Sequence, residues 1–298
     1  MVERPMPHET LKLTIADAAI QSLPDIADPQ VQMWRENDGS VCAYGHNVDG
    51  AHWMHLPELA SFCFSEDVDG VTAIPHPPIR ENLILDAYRR NILPMVLQVR
   101  GWEMLHASAV LTPYGAVALC AVSGTGKSTT AFALSRQGWP LWADDAVGFD
   151  TSDPEGVKAT ALPFSIRLRP EAARFFDYDP KAPRLDQDRD GVKDQVEAKS
   201  APLAALLVLD RTRDGGETAV RIRKLSSSQA FLDVLTHAYC FSLHNMERKR
   251  SMMRNYLDLA GRVPVFKVCF QPGFETLPAV VDGIARLVGA LDKTECAR

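Results

Sequence analysis

Short alternations of apolar and polar residues fill the first part of the chain, at Leu11–Ile15, Val31–Trp34, Val41–Tyr44 and Ala51–Leu56. Asn37-Asp38-Gly39 and Asp49-Gly50 lie between them, and such pairs favour the positive-φ turns of hairpins. The pattern predicts a small, mostly antiparallel β unit. Pro75, Pro77 and Pro78 then interrupt the chain ahead of a helical spacing at Ile79, Leu83, Ala87 and Tyr88. A domain boundary is expected there, with a β-rich unit over 1–77 and a second domain over 78–298.

From Leu105 the texture changes. A strand-like Leu105–Leu111 precedes a Pro-Tyr-Gly turn and the unbroken apolar run Ala116–Val122, the mark of a strand buried on both faces. A glycine-rich loop follows, then a helix carrying Ala131, Phe132 and Leu134 and ending near Gly138. Further strands are expected at Pro140–Ala143, Val147–Phe149, Phe164–Leu168, Leu206–Leu209, Ala219–Ile222 and Val263–Phe270. Ser226-x-x-Gln229 reads as a capping box opening a helix with Phe231, Leu232, Leu235 and Ala238 on one face. Two more helices are expected, one through Met246, Met253, Leu257 and Ala260, the last through Leu277, Val281, Ile284 and Leu291. The mixture predicts an α/β domain, a sheet flanked by helices, behind the β-rich unit.

Composition narrows the function classes. An apolar fraction of 46% over 298 residues suffices for a sizeable core and excludes wholesale disorder. With 32 basic and 38 acidic residues the net charge is −6, so nothing points to nucleic acid or an anionic membrane. The six cysteines, Cys42, Cys63, Cys120, Cys240, Cys269 and Cys296, form no CxxC pair, and free thiols are expected. The start lacks an apolar signal region, and the most apolar stretch, Ala109–Val122, is broken by Thr112, Pro113, Tyr114 and Gly115. A soluble, cytoplasmic protein is expected.

The segment richest in chemistry is Ala121-Val-Ser-Gly-Thr-Gly-Lys-Ser128, between the buried strand and a helix. Gly124 and Gly126 let the backbone curl so that successive N–H groups face inward, and the helix N-terminus adds its free amides. This is the layout of a phosphate-binding P-loop, with Ser123, Gly124, Thr125, Gly126, Lys127, Ser128 and Thr129 around ATP phosphates. Lys127 would reach the β- and γ-phosphates, and the Ser128 hydroxyl would hold Mg²⁺. Ala121 stands where the usual pattern has a glycine, a place alanine tolerates at negative φ.

Asp144 and Asp145 follow a predicted strand, 17 and 18 residues after Lys127. A strand–loop–helix–strand return brings such a strand end beside the phosphate loop, where one carboxylate can hold the metal and another can accept a hydroxyl proton. A solvated acidic turn is the alternative. His106 lies 21 residues before Lys127 on the neighbouring predicted strand, and alone it reads equally as a structural histidine.

Together, Leu105-His106-Ala-Ser-Ala, Ser123-Gly-Thr-Gly-Lys-Ser-Thr-Thr-Ala131 and Ala143-Asp-Asp145 resemble the catalytic core of HPr kinase/phosphorylase. The likeness is nearest to the shorter HPr-kinase-like proteins of bacterial peptide-tailoring clusters, including lasso-peptide precursor kinases. It is clear over about residues 104–150 and looser in Leu225–Tyr239 and Arg262-Val-Pro-Val-Phe266. The resemblance implies a P-loop kinase core, ATP and Mg²⁺ as cofactors, and a peptide or small-protein substrate phosphorylated on serine. It also implies Asp144 as general base, Ser128 and Asp145 at the metal, Lys127 and His106 completing the catalytic set, and a homo-oligomer. The family's longer N-terminal domain and its second glycine-rich signature have no match here. For its acidic metal ligand and late arginine, Glu171, Arg167, Arg169 and Arg211 stand at roughly the right positions. A small-metabolite kinase, or a nucleotide sensor without phosphoryl transfer, are the other readings of the same loop.

Three further patterns stay outside this picture. Asp186-Gln-Asp188-Arg-Asp190-Gly191 with Glu197 fits a calcium-loop expression, but Pro180 and Pro183 block an incoming helix and an Asp-Gly hairpin or mobile acidic loop is expected instead. Arg248, Lys249, Arg250 and Arg254 share a predicted helix, as a solvated face or a docking surface for an acidic peptide or a phosphorylated product. His46, His52 and His55 have spacings that match no helical zinc pair.

Overall fold

The computed structural model describes residues 11–17, 23–36, 38–76, 79–164, 166–179, 199–212, 219–241 and 245–295. Asn37, Pro77, Pro78, Cys296 and the calcium-loop-like stretch from Asp186 to Glu197 lie outside them. Two compact units emerge, one holding the residues up to Glu103 together with Tyr239–Met252, the other holding Met104–Ala238 and the chain from Met253 onward. The first unit therefore reaches past the prolines at 75–78, where the composition break suggested a boundary, and takes up the helices that follow.

The first unit is built on a six-stranded sheet of β1 (Lys12–Ile15), β2 (Gln32–Arg35), β3 (Val41–Val48), β4 (Ala51–Leu56), β5 (Ala60–Phe64) and β6 (Gly70–Pro75). The order is β1-β6-β5-β4-β3-β2, antiparallel except where β1 runs parallel to β6. Asp49 (φ 51°) and Gly50 (φ 81°) turn β3 into β4, the positive-φ pair a two-residue hairpin requires. Strand β5 was not legible in the sequence because nearly all of it is buried and it shows no alternation. The chain continues into α1 (Glu81–Ala87), a π turn at Tyr88–Ile92 and α2 (Leu93–Val99). Every residue of α2 is buried, so it has no polar stripe to betray it.

Phe241, on the returning segment, is buried against this sheet, stacking at 5.7 Å on Trp34. Gly45 makes the space, since a Cβ there would lie 2.5 Å from the Phe241 ring. Hairpin pairing, not helical spacing, gathers the histidines. His55 Nε2 lies 3.3 Å from His46 Nδ1, and the Ser61 hydroxyl bridges His55 Nδ1 (2.5 Å) and His76 Nε2 (2.7 Å). Among the described residues no group of three or more His, Cys, Asp and Glu is placed to hold a metal.

Burial, and then the charges His46 and His76 would carry, push His55 down to about 4. His237 and His106 in the second unit are likewise lowered, chiefly by burial, to about 4 and about 3. A histidine held neutral in the folded state stabilises it fully above the unfolded pKa of about 6.5, and that contribution is lost as pH falls toward the folded value. Stability is therefore expected to drop between about pH 6.5 and pH 4. Each such residue accounts for at most about 3–5 kcal/mol, the upper figure for His106. Melting curves across that range should show a shallower slope for His55→Gln than for wild type, and equal slopes would contradict this origin.

The first unit also takes in the start of the basic helix, up to Met252. On the helix Met246–Arg262 (α6), Lys249, Arg250 and Arg254 are exposed, whereas the Arg248 side chain is only 11% exposed. Its guanidinium donates to both Glu103 carboxylate oxygens (2.7 and 3.0 Å) and to the carbonyls of Gln98 and Trp102. The Glu103 side chain is only 4% exposed. Arg248→Ala leaves that carboxylate buried without its cation, a loss of about 3–5 kcal/mol. A fall of about 10 °C in melting temperature is expected, with recovery in Arg248→Met/Glu103→Leu; an unshifted single variant would contradict the pairing.

The second unit follows from β7 (Glu103–Leu105) through β8 (Ala107–Thr112), β9 (Gly115–Cys120), α3 (Lys127–Ser135), β10 (Leu141–Ala143), β11 (Val147–Asp150), β12 (Lys158–Ala161) and α4 (Pro170–Phe175). It continues with β13 (Ser200–Arg211), β14 (Val220–Lys224), α5 (Ser227–Leu235), most of α6, β15 (Val265–Phe270) and α7 (Leu277–Glu295). The expected α/β class, a mixed sheet flanked by helices beside a β-rich unit, is the fold observed. At its centre β9, β13 and β15 run parallel, with β8 and then β10 on one side and β14 on the other. Strands β12 and β11 extend from the start of β13. Helices α3 and α7 bury Ala131, Leu134, Val281, Ile284 and Val288 against Val117, Leu119, Leu207 and Val268 of the sheet.

Two predicted elements differ. Leu105–Leu111 is not one strand: it breaks at His106, whose backbone N–H donates to His237 O at 2.7 Å. Phe164–Leu168 forms no strand among its described residues. Its alternation arises because Phe164 and Ile166 pack on the core while Arg167 turns the other way, and β12 supplies the strand instead.

No helix among the described residues is long and apolar enough to cross a membrane.

Candidate functional site

Parallel strands deliver their carboxyl ends to one edge of a sheet, and ligands of α/β folds bind beyond that edge. Here β9 ends in the glycine loop, β13 ends at Arg211, and β15 ends at Phe270 ahead of Gly273 and Phe274. Antiparallel β8 starts at the same edge, since Ala107 pairs with Cys120, and that places His106 there. Strand β10 runs against β8, so its end too, with Asp144 and Asp145, returns to this edge. Five strands thus converge on a cavity of about 360 Å³ lined by His106, the loop from Ser123 to Thr130, Asp145, Arg167, Arg169, Glu171, Arg211 and Phe274.

The loop has the predicted geometry. Gly124 (φ 83°) and Gly126 (φ 115°) adopt left-handed backbone, and Gly126 precedes the first turn of α3. Both lie close to arginines: a Cβ on Gly124 would sit 3.1 Å from the Arg169 guanidinium, and one on Gly126 would sit 3.7 Å from that of Arg211. Lys127 is 7% exposed, and its ammonium donates to Ala121 O at 3.0 Å. Burial lowers the Lys127 pKa, and Asp144 works against that shift. Beneath the loop, burial pushes the Cys120 thiol up to about 12, which leaves it inert.

The acids divide. Asp144 is 4% exposed, and its Oδ1 accepts hydrogen bonds from Ser128 Oγ at 2.8 Å and Ser108 Oγ at 2.6 Å. Asp145, in the left-handed region at φ 67°, lines the cavity. His106 also faces it. Burial, with the neighbouring Lys127 charge and His237, holds its ring neutral.

The residues singled out from sequence for nucleotide chemistry therefore meet at one edge, including Arg167, Arg169, Glu171 and Arg211, which rough position alone had suggested. Ser108, His237 and Phe274 were missed as contributors. Ser108 lay inside a recognised segment, two residues past His106, with a strand period that places both on one face. His237 and Phe274 are distant in sequence and carry no local signal. A larger cavity, about 560 Å³, lies in the first unit along Glu66, Asp67, Arg100, Trp102 and Arg248. Its arginines are bound to carboxylates, Arg248 to Glu103 and Arg100 to Asp69 at 3.0 Å.

No protein-family model matches the chain, and no curated protein matches it. Among solved structures, the Hpr(Ser) kinase/phosphatase from Coxiella burnetii aligns with 65% of this chain and 95% of its own, at 11% identity and a TM-score of 0.38.

Proposed function

We propose that this cavity binds ATP and transfers its terminal phosphoryl group to a serine hydroxyl of a peptide or small protein, with Mg²⁺. The observation that carries the reading is the 2.8 Å bond between Ser128 and Asp144 at the start of the helix that follows the left-handed glycine loop. A hydroxyl and a carboxylate so paired are the hard oxygen donors that Mg²⁺ takes. A cation held by Ser128 and Asp144 would neutralise charge on the terminal phosphates.

The chain's own groups then divide the work. Loop amides, Lys127 and the guanidinium groups of Arg167, Arg169 and Arg211 surround the phosphates and stabilise the charge that spreads over the transferred group. Asp145 accepts the proton of the acceptor hydroxyl as its oxygen attacks the γ-phosphorus and the bond to the β–γ bridging oxygen breaks, releasing ADP. His106, neutral at working pH, orients the acceptor and is not its acid. This exchanges the roles expected from sequence, where Asp144 was the base and Asp145 the metal ligand. A buried carboxylate already held by two serine hydroxyls and committed to the cation is poorly placed to take the proton of an incoming alcohol.

The peptide substrate, with ribosomal precursor peptides of the lasso type foremost, is supported by the His106, Lys127 and Asp144-Asp145 spacing shared with HPr-kinase-like proteins. Incubation with γ-labelled ATP and such precursors tests it. Label is expected on a peptide serine with wild type and not with Lys127→Ala; equal label with both would sink the kinase reading.

A further inference from the structure

The cavity is chemically two-ended. Lys127 belongs to the loop and the guanidinium groups of Arg169 and Arg211 approach its glycines, whereas Phe270, Phe274 and Leu277 add an apolar wall at the end of β15 and its following turn. A phosphate chain satisfies only the first. The half-buried Phe274 ring is packed into a chain of aromatic contacts. Phe175 stacks on it at 4.6 Å and 15°, Phe176 meets Phe175 edge-on at 5.0 Å, and Phe132 meets Phe176 at 4.8 Å. Phe132 belongs to α3, the helix that begins at Lys127, so the aromatic chain ties the wall to the phosphate loop. The turn itself is fixed by the Thr276 hydroxyl, bonded to the carbonyls of Gln271 (2.7 Å) and Gly273 (2.9 Å).

Resting on the nucleotide reading of the same cavity, we propose that Phe274, backed by Phe175, is the stacking platform for the nucleobase of the bound triphosphate. A rigid aromatic face loses little entropy on binding and attracts any flat base by stacking. The polarity of the cavity sets the direction of the ligand: phosphates toward Lys127, Arg169 and Arg211, base toward Phe274.

Calorimetric titration with MgATP and with inorganic tripolyphosphate separates the two ends. Phe274→Ala is expected to weaken MgATP about tenfold or more, the scale of one stacked base, and to leave tripolyphosphate within about twofold. Phe274→Leu, which refills the volume without a ring, should behave the same way, and Phe274→Tyr should stay near wild type. Unchanged ATP affinity in the alanine and leucine variants would overturn the platform and would place a substrate side chain against the wall instead. Equal losses for both ligands would also overturn it, since the turn would then serve only the phosphate loop. If wild type binds neither ligand, the phosphate cradle itself fails, a result distinct from either of these.

Discussion

Asp145→Asn is expected to slow phosphoryl transfer by about a hundredfold to ten-thousandfold, the range a positioned base contributes, with MgATP affinity nearly unchanged. Asparagine tolerates the left-handed backbone that Asp145 adopts at φ 67°, so the substitution removes the base without straining the turn. Asp144→Asn should act differently. It weakens the oxygen pair formed with Ser128, so a higher Mg²⁺ concentration should be needed and saturating Mg²⁺ should restore part of the rate. Single-turnover rates over a Mg²⁺ series for both variants distinguish the two roles. Loss of transfer in Asp144→Asn at every Mg²⁺ level, with Asp145→Asn active, would return the base to Asp144.

Lys127→Ala is expected to cut kcat/KM by about a hundredfold to a thousandfold, as removal of one preorganised donor does. The buried ammonium has a second effect that a merely structural residue would lack. Its charge helps to hold His106 and His237 below the ordinary histidine range. Without it, both imidazoles should titrate nearer 6.5, readable by NMR. Burial is the larger cause for each, so the return should be partial. Unmoved histidine titrations in Lys127→Ala would mean that the ammonium does not lie against them.

Much of this candidate site was legible because a loop of the proposed phosphate-binding kind is built locally. The glycines, lysine and serine must be neighbours in sequence to build one loop at one helix start, so Ser123–Ser128 declared itself. The acids were legible through topology, since a strand after a crossover helix returns to the loop. The division of proposed roles between the two acids was not. That depends on β8, whose Ser108 takes hold of Asp144, and on a left-handed residue at Asp145, neither of which any periodicity encodes. The arginines fared similarly. Arg167 and Arg169 fall in a stretch that alternates like a strand, whereas the structure forms no strand at its described residues and both arginines line the cavity. The N-terminal hairpin at Asp49-Gly50 was readable for the same local reason as the phosphate loop. Strand β5 and helix α2 were not, being buried on every side. Arg248 was misread because its partner Glu103 lies 145 residues away along the chain.

A crystal structure with Mg²⁺ and a non-hydrolysable ATP analogue goes furthest toward deciding the matter. The triphosphate should lie along the amides of Gly124–Ser128, with Ser128 and Asp144 turned to the metal and the Asp145 carboxylate nearer the terminal phosphorus than that of Asp144. An analogue bound away from this loop, or a terminal phosphorus beyond the reach of both carboxylates, would contradict the proposed chemistry.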